Sequence, residues 1–294
     1  MDTAQAFAPI ERDGVLSGPV RRPVNLSRDA AGSIHDDATA HKLGFRGGTV
    51  AGNIHSEQFA PLLIERFGRG WRKQGGLSLH FLNATTDGEP VQAFVGPAEP
   101  GEAGLTRAQV WMETPQGVRV CEGSAWLGGD DPKAALRIRV AQQRPATELR
   151  ILKAAKVGDS VRDIPARVNG ETATFRLQGI TEPMAEYTDP KPWGGLVAAS
   201  AVAIDALRVV EIPMFRPDGD FVGLFGAIEL QQLAGPILTD KDYLADGRVL
   251  ALGESPKTEV VWWESTLRDP DDGISVARLL MMTRFLKASS ALWA

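Results

Sequence analysis

Hydrophobic residues recur at two different periods along the chain, and the change of period marks the predicted elements. The segment 56–67 places its phenylalanines and leucines three and four positions apart, the spacing of one face of a helix. The segment 77–81 instead alternates leucine and phenylalanine with serine and histidine, which is typical of a half-buried strand. A helix followed by strands is therefore predicted for this part of the chain.

The second half shows the same succession of periods. Helical spacing returns over 201–210, and strands are predicted at 228–230 and 249–252, with a turn expected at Asp246-Gly247. The predicted antiparallel set is completed by the segments 107–113, 118–127, 259–265 and 274–285. One helix and several hairpin-linked strands in each half predict an α+β fold.

Short motifs also repeat between the halves. The run from Gly47 to Gly52, read as GGTVAG, returns as GGLVAA from Gly194, 147 residues later. The Trp-Met-Glu-Thr motif at Trp111 returns as Trp-Trp-Glu-Ser at Trp262, 151 residues later. The larger second offset predicts a surface insertion around Pro213 and the segment 217–220. The chain is thus interpreted as two tandem repeats.

A polar stretch with prolines separates the repeats. Residues 128–150 carry glycine, aspartate, mixed charge and the breakers Pro132 and Pro145. We therefore expect an N-terminal repeat at 1–132, a linker at 133–150 and a C-terminal repeat at 151–294.

Composition narrows the range of functions. The formal net charge is −5 and no basic run resembles a phosphate-binding stripe, which argues against a nucleic-acid partner. The sequence has neither a secretion signal nor an apolar run long enough to cross a membrane. The single cysteine, Cys121, cannot form an internal disulfide, so a cytoplasmic location is expected. Neither a metal-ligand cluster nor a glycine-rich nucleotide loop is present, so we expect no metal and no cofactor.

A family resemblance enters at Ile34-His35-Asp36-Asp37, followed by Ala40, Gly44-Phe45 and the segment 47–51. This arrangement resembles the MaoC-like hydratases and dehydratases of the hotdog superfamily. The resemblance implies that each repeat is a long central helix wrapped by an antiparallel sheet, and that the two repeats form a pseudo-dimer with a site at their junction. It also implies a small-molecule acyl thioester of coenzyme A or an acyl carrier as substrate, and association into a homodimer through sheet edges.

His35 is the principal catalytic candidate, because an imidazole exchanges protons near neutral pH. The structural alternative is a histidine whose hydrogen bonds are satisfied inside the fold. In the resembled hydratases the matching histidine acts with an aspartate five residues earlier, but here that position is Ala30. Asp29, displaced by one residue, is the candidate replacement, and Asp36 is a candidate to orient the imidazole or, alternatively, to begin a helix.

Three candidates lie at the entrance of the first central helix. Asn53 is expected to donate to a carbonyl or hold water, His55 to act as a second acid or base, and Glu57 to activate water, as acids near this position do in hotdog thioesterases. Helix capping for Asn53, burial for His55 and solvation for Glu57 are the structural alternatives.

Glycines and helix amides are predicted to receive the thioester. Gly47, Gly48 and Gly52 let a ligand approach the backbone closely, or else serve tight packing. Free N–H groups near Gly52 and Asn53 would stabilise a developing enolate oxygen.

The second repeat contains no histidine, so we expect it to hold the acyl chain, with Tyr187 and Trp193 lining its tunnel. Three functions remain open: a hydratase or dehydratase on acyl thioesters, a double-hotdog thioesterase, and a non-catalytic binder of acyl or polyketide-like ligands.

Overall fold

The computed structural model describes residues 8–294. Its elements are numbered here in chain order. The first half contains β1 (Ile10–Arg12), β2 (Val15–Ser17), α1 (Asp37–Lys42), α2 (Gly52–Glu57), α3 (Ala60–Phe67), α4 (Trp71–Gln74), β3 (Gly75–Phe81), β4 (Gln92–Val95), β5 (Glu99–Pro100), β6 (Thr106–Glu113) and β7 (Arg119–Leu127).

The remaining elements begin with α5 (Ala135–Ala141), which lies between the halves. They continue with β8 (Ser160–Arg167), α6 (Gly170–Leu177), α7 (Ser200–Arg208), α8 (Glu211–Met214), β9 (Gly223–Gln232), β10 (Asp242–Glu254), β11 (Thr258–Arg268) and β12 (Ser275–Leu286).

All of these strands belong to one antiparallel sheet in the order β1-β2-β4-β6-β7-β3-β9-β12-β11-β10-β8, with β5 on the side of β6. The order reads similarly outward from its middle, because β7 and β6 follow β3 on one side while β12 and β11 follow β9 on the other. The halves meet where β3 pairs with β9, in a register that places Ser78 opposite Glu229. Two repeats therefore share one continuous sheet.

Helices cover both faces of this sheet. On one face α2, α3 and α7 bury leucines, alanines and phenylalanines against inward-pointing strand residues. On the opposite face α5 inserts Leu136, which is fully buried against Trp262, Leu280 and Met282. The linker predicted at 133–150 thus contains a packed helix.

Two short helices replace each long central helix that the family resemblance implies. Proline lacks an N–H and its ring crowds the carbonyl four residues earlier. Pro61 therefore interrupts helical bonding at Glu57, where α2 ends, although Gln58 and Phe59 keep right-handed helical dihedrals. In the second repeat Pro213 lies in α8, after α7 has ended at Arg208. Pro213 is consequently helical, so the predicted surface loop does not include it, whereas residues 217–220 lie outside any helix or strand and are largely exposed.

The predicted strands are present with extended bounds, but one predicted turn is not. Asp246 and Gly247 lie inside the long strand β10, where the pairing with β8 shifts register. A side chain at Gly247 would meet Val210 at 2.8 Å. Val210, the residue just before α8, packs so closely against β10 that only glycine fits at position 247.

Candidate functional site

A cleft of about 1300 Å³ opens where the ends of β3, β9 and β12 meet the start of α2. Its walls come from both halves of the chain. His35, Gly52 and Phe81 line one part, and Phe215 and Phe225 line another. A cleft of this size is suitable for a small organic ligand.

His35 lies on the wall of this cleft with its two ring nitrogens in different surroundings. Nδ1 is 2.7 Å from the carbonyl oxygen of Thr49. Since a carbonyl only accepts, Nδ1 carries the proton and Nε2 carries the lone pair. Nε2 has no hydrogen-bond partner among residues 8–294. The backbone thus fixes the tautomer and the orientation of the His35 imidazole.

Gly48 allows the His35 segment to lie against the following loop. A Cβ at position 48 would be 2.2 Å from the His35 carbonyl oxygen, which is an impossible contact. The amide of Gly48 donates to Asp37 Oδ1 at 2.6 Å, and Asn25 Nδ2 donates to the His35 carbonyl at 2.8 Å. Gly47 lies beside Asp37 as well. These two glycines therefore support the histidine loop and do not line the cleft.

Gly52 begins α2 on the wall of the cleft. A Cβ there would meet the Phe81 ring at 2.7 Å, so the glycine is required by the packed aromatic ring. The amides of Gly52 and Asn53 bond to no oxygen within residues 8–294, as expected for the first turn of a helix. The Asn53 side chain is buried and its Nδ2 donates to the carbonyl of Ala201 in α7 at 2.7 Å. The side-chain amide of Asn53 therefore links the first repeat to the second.

His55 also reaches the wall of the cleft but is only 2% exposed. Its Nε2 is 2.7 Å from the hydroxyl of Thr85. Burial lowers the pKa of His55 to about 4, so the ring is neutral at neutral pH.

Glu57 and Tyr187 belong to a buried cluster behind the cleft. The Tyr187 hydroxyl donates to Glu57 and accepts from Arg72 Nη2 at 2.8 Å, while Arg72 Nε lies 2.6 Å from Glu186. Glu57 also accepts from the amide of Ala201 at 3.2 Å. Burial raises the pKa of the Glu57 carboxyl. Neither Glu57 nor Tyr187 lines the cleft.

Backbone bonding shows that Tyr187 occupies the position in the second repeat that His35 occupies in the first. The amide of Thr49 donates to Ile34, the residue before His35, at 2.8 Å. The amide of Val197 donates at 2.9 Å to Glu186, the residue before Tyr187. Thr49 and Val197 also each bridge a neighbouring loop. The offset from Thr49 to Val197 is 148 residues, whereas the offset from His35 to Tyr187 is 152 residues. The segment between the two bonded positions is therefore shorter in the second repeat, and this difference hid the equivalence of His35 and Tyr187 in the sequence.

None of the remaining candidates lines the cleft. Asp29 is exposed and does not line the cleft. Asp36 caps α1 by accepting from the amides of Ala38 and Thr39, and its bond to the Thr39 hydroxyl lowers the pKa of its carboxyl. Trp193 lines a second depression of about 910 Å³, beside Lys73 and Leu238.

A basic group that no sequence pattern predicted lies at the outer end of the cleft. Arg139 of α5 and Arg284 of β12 line it together with His80. Arg139 and Arg284 are 145 residues apart in the chain, so only the paired strands and the packed helix α5 bring them together.

No protein-family model matches the sequence, and no curated protein is similar to it. Solved structures do match over nearly the whole chain. A protein described as a MaoC domain dehydratase from Chloroflexus aurantiacus superposes with a TM-score of 0.66 at 10% identity, covering 97% of this chain and 99% of that one. A Mycobacterium tuberculosis protein with a double hotdog fold gives 0.63 at 12% identity, covering 94% and 97%. A MaoC-like dehydratase gives 0.55 at 14% identity, covering 95% and 97%.

The fold is the double hotdog fold. The similarity extends through both repeats, so the double hotdog describes the entire chain and not one half of it. Within residues 8–294 of this double hotdog, no helix is long and apolar enough to cross a membrane.

Proposed function

We propose that the protein is a hydratase or dehydratase acting on an acyl thioester, with His35 as its proton-transferring residue. The observation that carries the proposal is the free Nε2 of His35 in the cleft, opposite an Nδ1 that is fixed by the Thr49 carbonyl. The structural similarity to a MaoC domain dehydratase and a MaoC-like dehydratase supports the same reaction class. The mirrored strand order and the shared β3–β9 junction support a pseudo-dimeric arrangement of the repeats.

A single imidazole is sufficient for the proton balance of hydration. Nε2 accepts a proton from water as the water oxygen bonds to the β-carbon of an enoyl thioester. The electron pair of the double bond moves onto the thioester oxygen, forming an enolate. His35 then returns the same proton to the α-carbon, so water has been added and the histidine is regenerated. Dehydration is the reverse sequence.

The Thr49 carbonyl favours this proton transfer by stabilising the imidazolium that forms. In the same proposal the unpaired amide of Gly52 faces the developing enolate oxygen, where a backbone donor costs no reorganisation. Phe215 and Phe225 form an apolar part of the cleft that suits an acyl group.

Hydrolysis through Glu57 is less compatible with the geometry. A carboxylate that activates water must reach the thioester, but Glu57 is fully buried and bonded to Tyr187 and Ala201. Binding without catalysis is the other alternative, and it is favoured by one observation: within residues 8–294, no carboxylate is bonded to the His35 ring.

His35→Asn tests the proposal. The asparagine amide can still donate to the Thr49 carbonyl, but the variant lacks the basic Nε2. We expect kcat/KM for hydration of a short enoyl-CoA to fall by about 10²- to 10⁴-fold, the usual contribution of a positioned general base.

The matched control is His41→Asn, because His41 is exposed and outside the cleft. Hydration is followed as loss of enoyl absorbance, and a thiol reagent reports hydrolysis in the same sample. Unchanged hydration in His35→Asn, or thiol release in place of hydration, would refute the proposal.

A further inference from the structure

One arginine of the basic group at the outer end of the cleft, Arg284, lacks the acidic partner that buried arginines normally have. Arg284 is partly buried on β12, and its one polar side-chain contact within residues 8–294 is a 3.2 Å bond to Nε2 of His80. No carboxylate in that range lies within ion-pair distance of it. A half-buried guanidinium with no anion beside it is costly, so an anionic ligand bound there would stabilise it.

His80 adds a second unsatisfied donor at the same place. Because an arginine only donates, Nε2 of His80 accepts and its proton is on Nδ1. Nδ1 is buried and has no partner among the described residues. Burial, together with the positive charges of Arg139 and Arg284, lowers the pKa of His80 to about 4. The imidazole therefore stays neutral between two cations.

Burial lowers the pKa of Arg284, and the positive charge of Arg139 beside it lowers that pKa further through repulsion. Arg139 has a loose contact with Glu122 at 3.6 Å, and both of these side chains are substantially exposed. The carboxylates that line the cleft, Glu211 and Glu254, are already paired with Arg208 and Lys287. The uncompensated charge at this end of the cleft is therefore positive.

The position of the group relative to His35 follows from strand geometry. Phe81 points to the helix face beside Gly52, whereas His80, the preceding residue of β3, points to the opposite face. Arg284 lies on that opposite face, against Gly226 of β9. The cleft thus begins at His35 on one face, passes the strand ends and reaches the arginines on the other face.

We propose that Arg284, Arg139 and His80 bind the phosphate groups of a coenzyme A thioester whose acyl end reaches His35 along the same cleft. The inference rests on the proposed thioester chemistry and names the carrier. A phosphate group of the nucleotide supplies the anion that Arg284 lacks, and a phosphate oxygen can also accept from Nδ1 of His80. The flexible pantetheine arm would then lie over Phe81 and Leu82 at the strand ends, both of which line the cleft.

The test compares two thioesters that differ only in the nucleotide. Wild type, Arg284→Met and Arg139→Met are assayed with the same enoyl group on coenzyme A and on pantetheine. We expect each variant to raise KM for the coenzyme A ester by about tenfold, the usual effect of losing a charge-assisted hydrogen bond, and to leave KM for the pantetheine ester unchanged. In wild type, KM for the coenzyme A ester alone should rise with ionic strength.

Arg278→Met is the matched control. Arg278 lies on the same strand and is paired with Asp130 at 3.1 Å outside the cleft, so neither KM should change. Equal KM increases for both esters in Arg284→Met and Arg139→Met, or no increase in either variant, would overturn the proposal. Arg139 is on the surface, so its variant tests the site even if Arg284→Met fails to fold.

Direct binding separates this inference from the proposed reaction. Titration of wild type and both variants with adenosine 3′,5′-bisphosphate requires no turnover. If no thioester is hydrated but the nucleotide binds wild type and not the variants, the reaction is wrong and the phosphate site stands. If wild type hydrates pantetheine esters but does not bind the nucleotide, the reaction stands and the phosphate site is wrong.

Discussion

The histidines at positions 35 and 55 lie on one cleft but differ in what surrounds their rings. His35 is half-buried with one ring nitrogen free, whereas His55 is buried and bonded to Thr85. Sequence alone could not separate them, because burial depends on the loop at Thr85 that packs over α2. His55 therefore affects stability through its protonation, and His35 is the residue available to a ligand.

The low pKa of His55 predicts that acid destabilises the protein. Burial lowers this pKa from its ordinary 6.5 to about 4. As pH falls from 6.5 towards 4, the unfolded chain binds a proton at His55 and the folded chain does not, so stability is lost over that interval. We expect His55 alone to remove about 2 kcal/mol between pH 7 and pH 5.

Urea unfolding at the two pH values measures this effect in wild type and in His55→Gln, whose side chain does not titrate. The variant should lose correspondingly less stability between pH 7 and pH 5. An equal loss in both proteins would show that His55 is not the responsible group.

At the scale of elements, the sequence predicted the strands better than the helices and loops. Alternation identified β3, because the sequence of apolar and polar residues within one strand is a local pattern. Burial of both faces of β3 was not predicted, since the linker helix α5 covers the second face. The family resemblance implied one long helix in the first repeat. The sequence nevertheless contains Pro61, whose local effect on the Glu57 carbonyl was sufficient to predict the interruption. The cluster around Arg72 could not be predicted, since α4 meets the second repeat only through tertiary packing. Nor did any pattern predict that Arg139 would face Arg284.

The contact of two loops at Gly48 yields a prediction for activity. In Gly48→Ala the new methyl group would overlap the His35 carbonyl, so the His35 segment must move. We expect a loss of about 1–3 kcal/mol in stability and a fall in kcat of about tenfold or more, because general-base catalysis requires close positioning.

Gly96→Ala is the control for this change, because the nearest atom to its new methyl group would be at 3.5 Å. Both variants are compared by thermal unfolding and by steady-state hydration. Full kcat in Gly48→Ala would mean that the position of His35 does not limit the reaction.

At the scale of the whole molecule, charges buried at the boundary hold the repeats together. Arg72 of the first repeat contacts Tyr187 and Glu186 of the second, while Glu57 accepts from Ala201 across the same boundary. The paired strands β3 and β9 continue this boundary through the sheet. Each repeat thus supplies polar groups that the other needs.

Arg72→Met should therefore be strongly destabilising. It leaves Glu57 and Glu186 buried without their cation, a change that typically costs about 3–5 kcal/mol. The triple variant Arg72→Met, Glu57→Gln, Glu186→Gln removes the stranded charges and should recover part of that loss. Denaturant unfolding of the wild type and both variants measures the free energy of unfolding of each protein. A triple variant less stable than Arg72→Met would contradict this account of the cluster.

The placement of Tyr187 at the position equivalent to His35 has a consequence for how many ligands one chain binds. A symmetrical pair of identical subunits presents two such sites, and any substitution alters both. Here the second position is filled by a tyrosine bonded to Glu57 and Arg72, so we expect one ligand per polypeptide in a titration. Because the two repeats differ in sequence within one chain, a substitution near Tyr187 leaves the His35 loop of the first repeat unchanged, which is impossible in a pair of identical subunits.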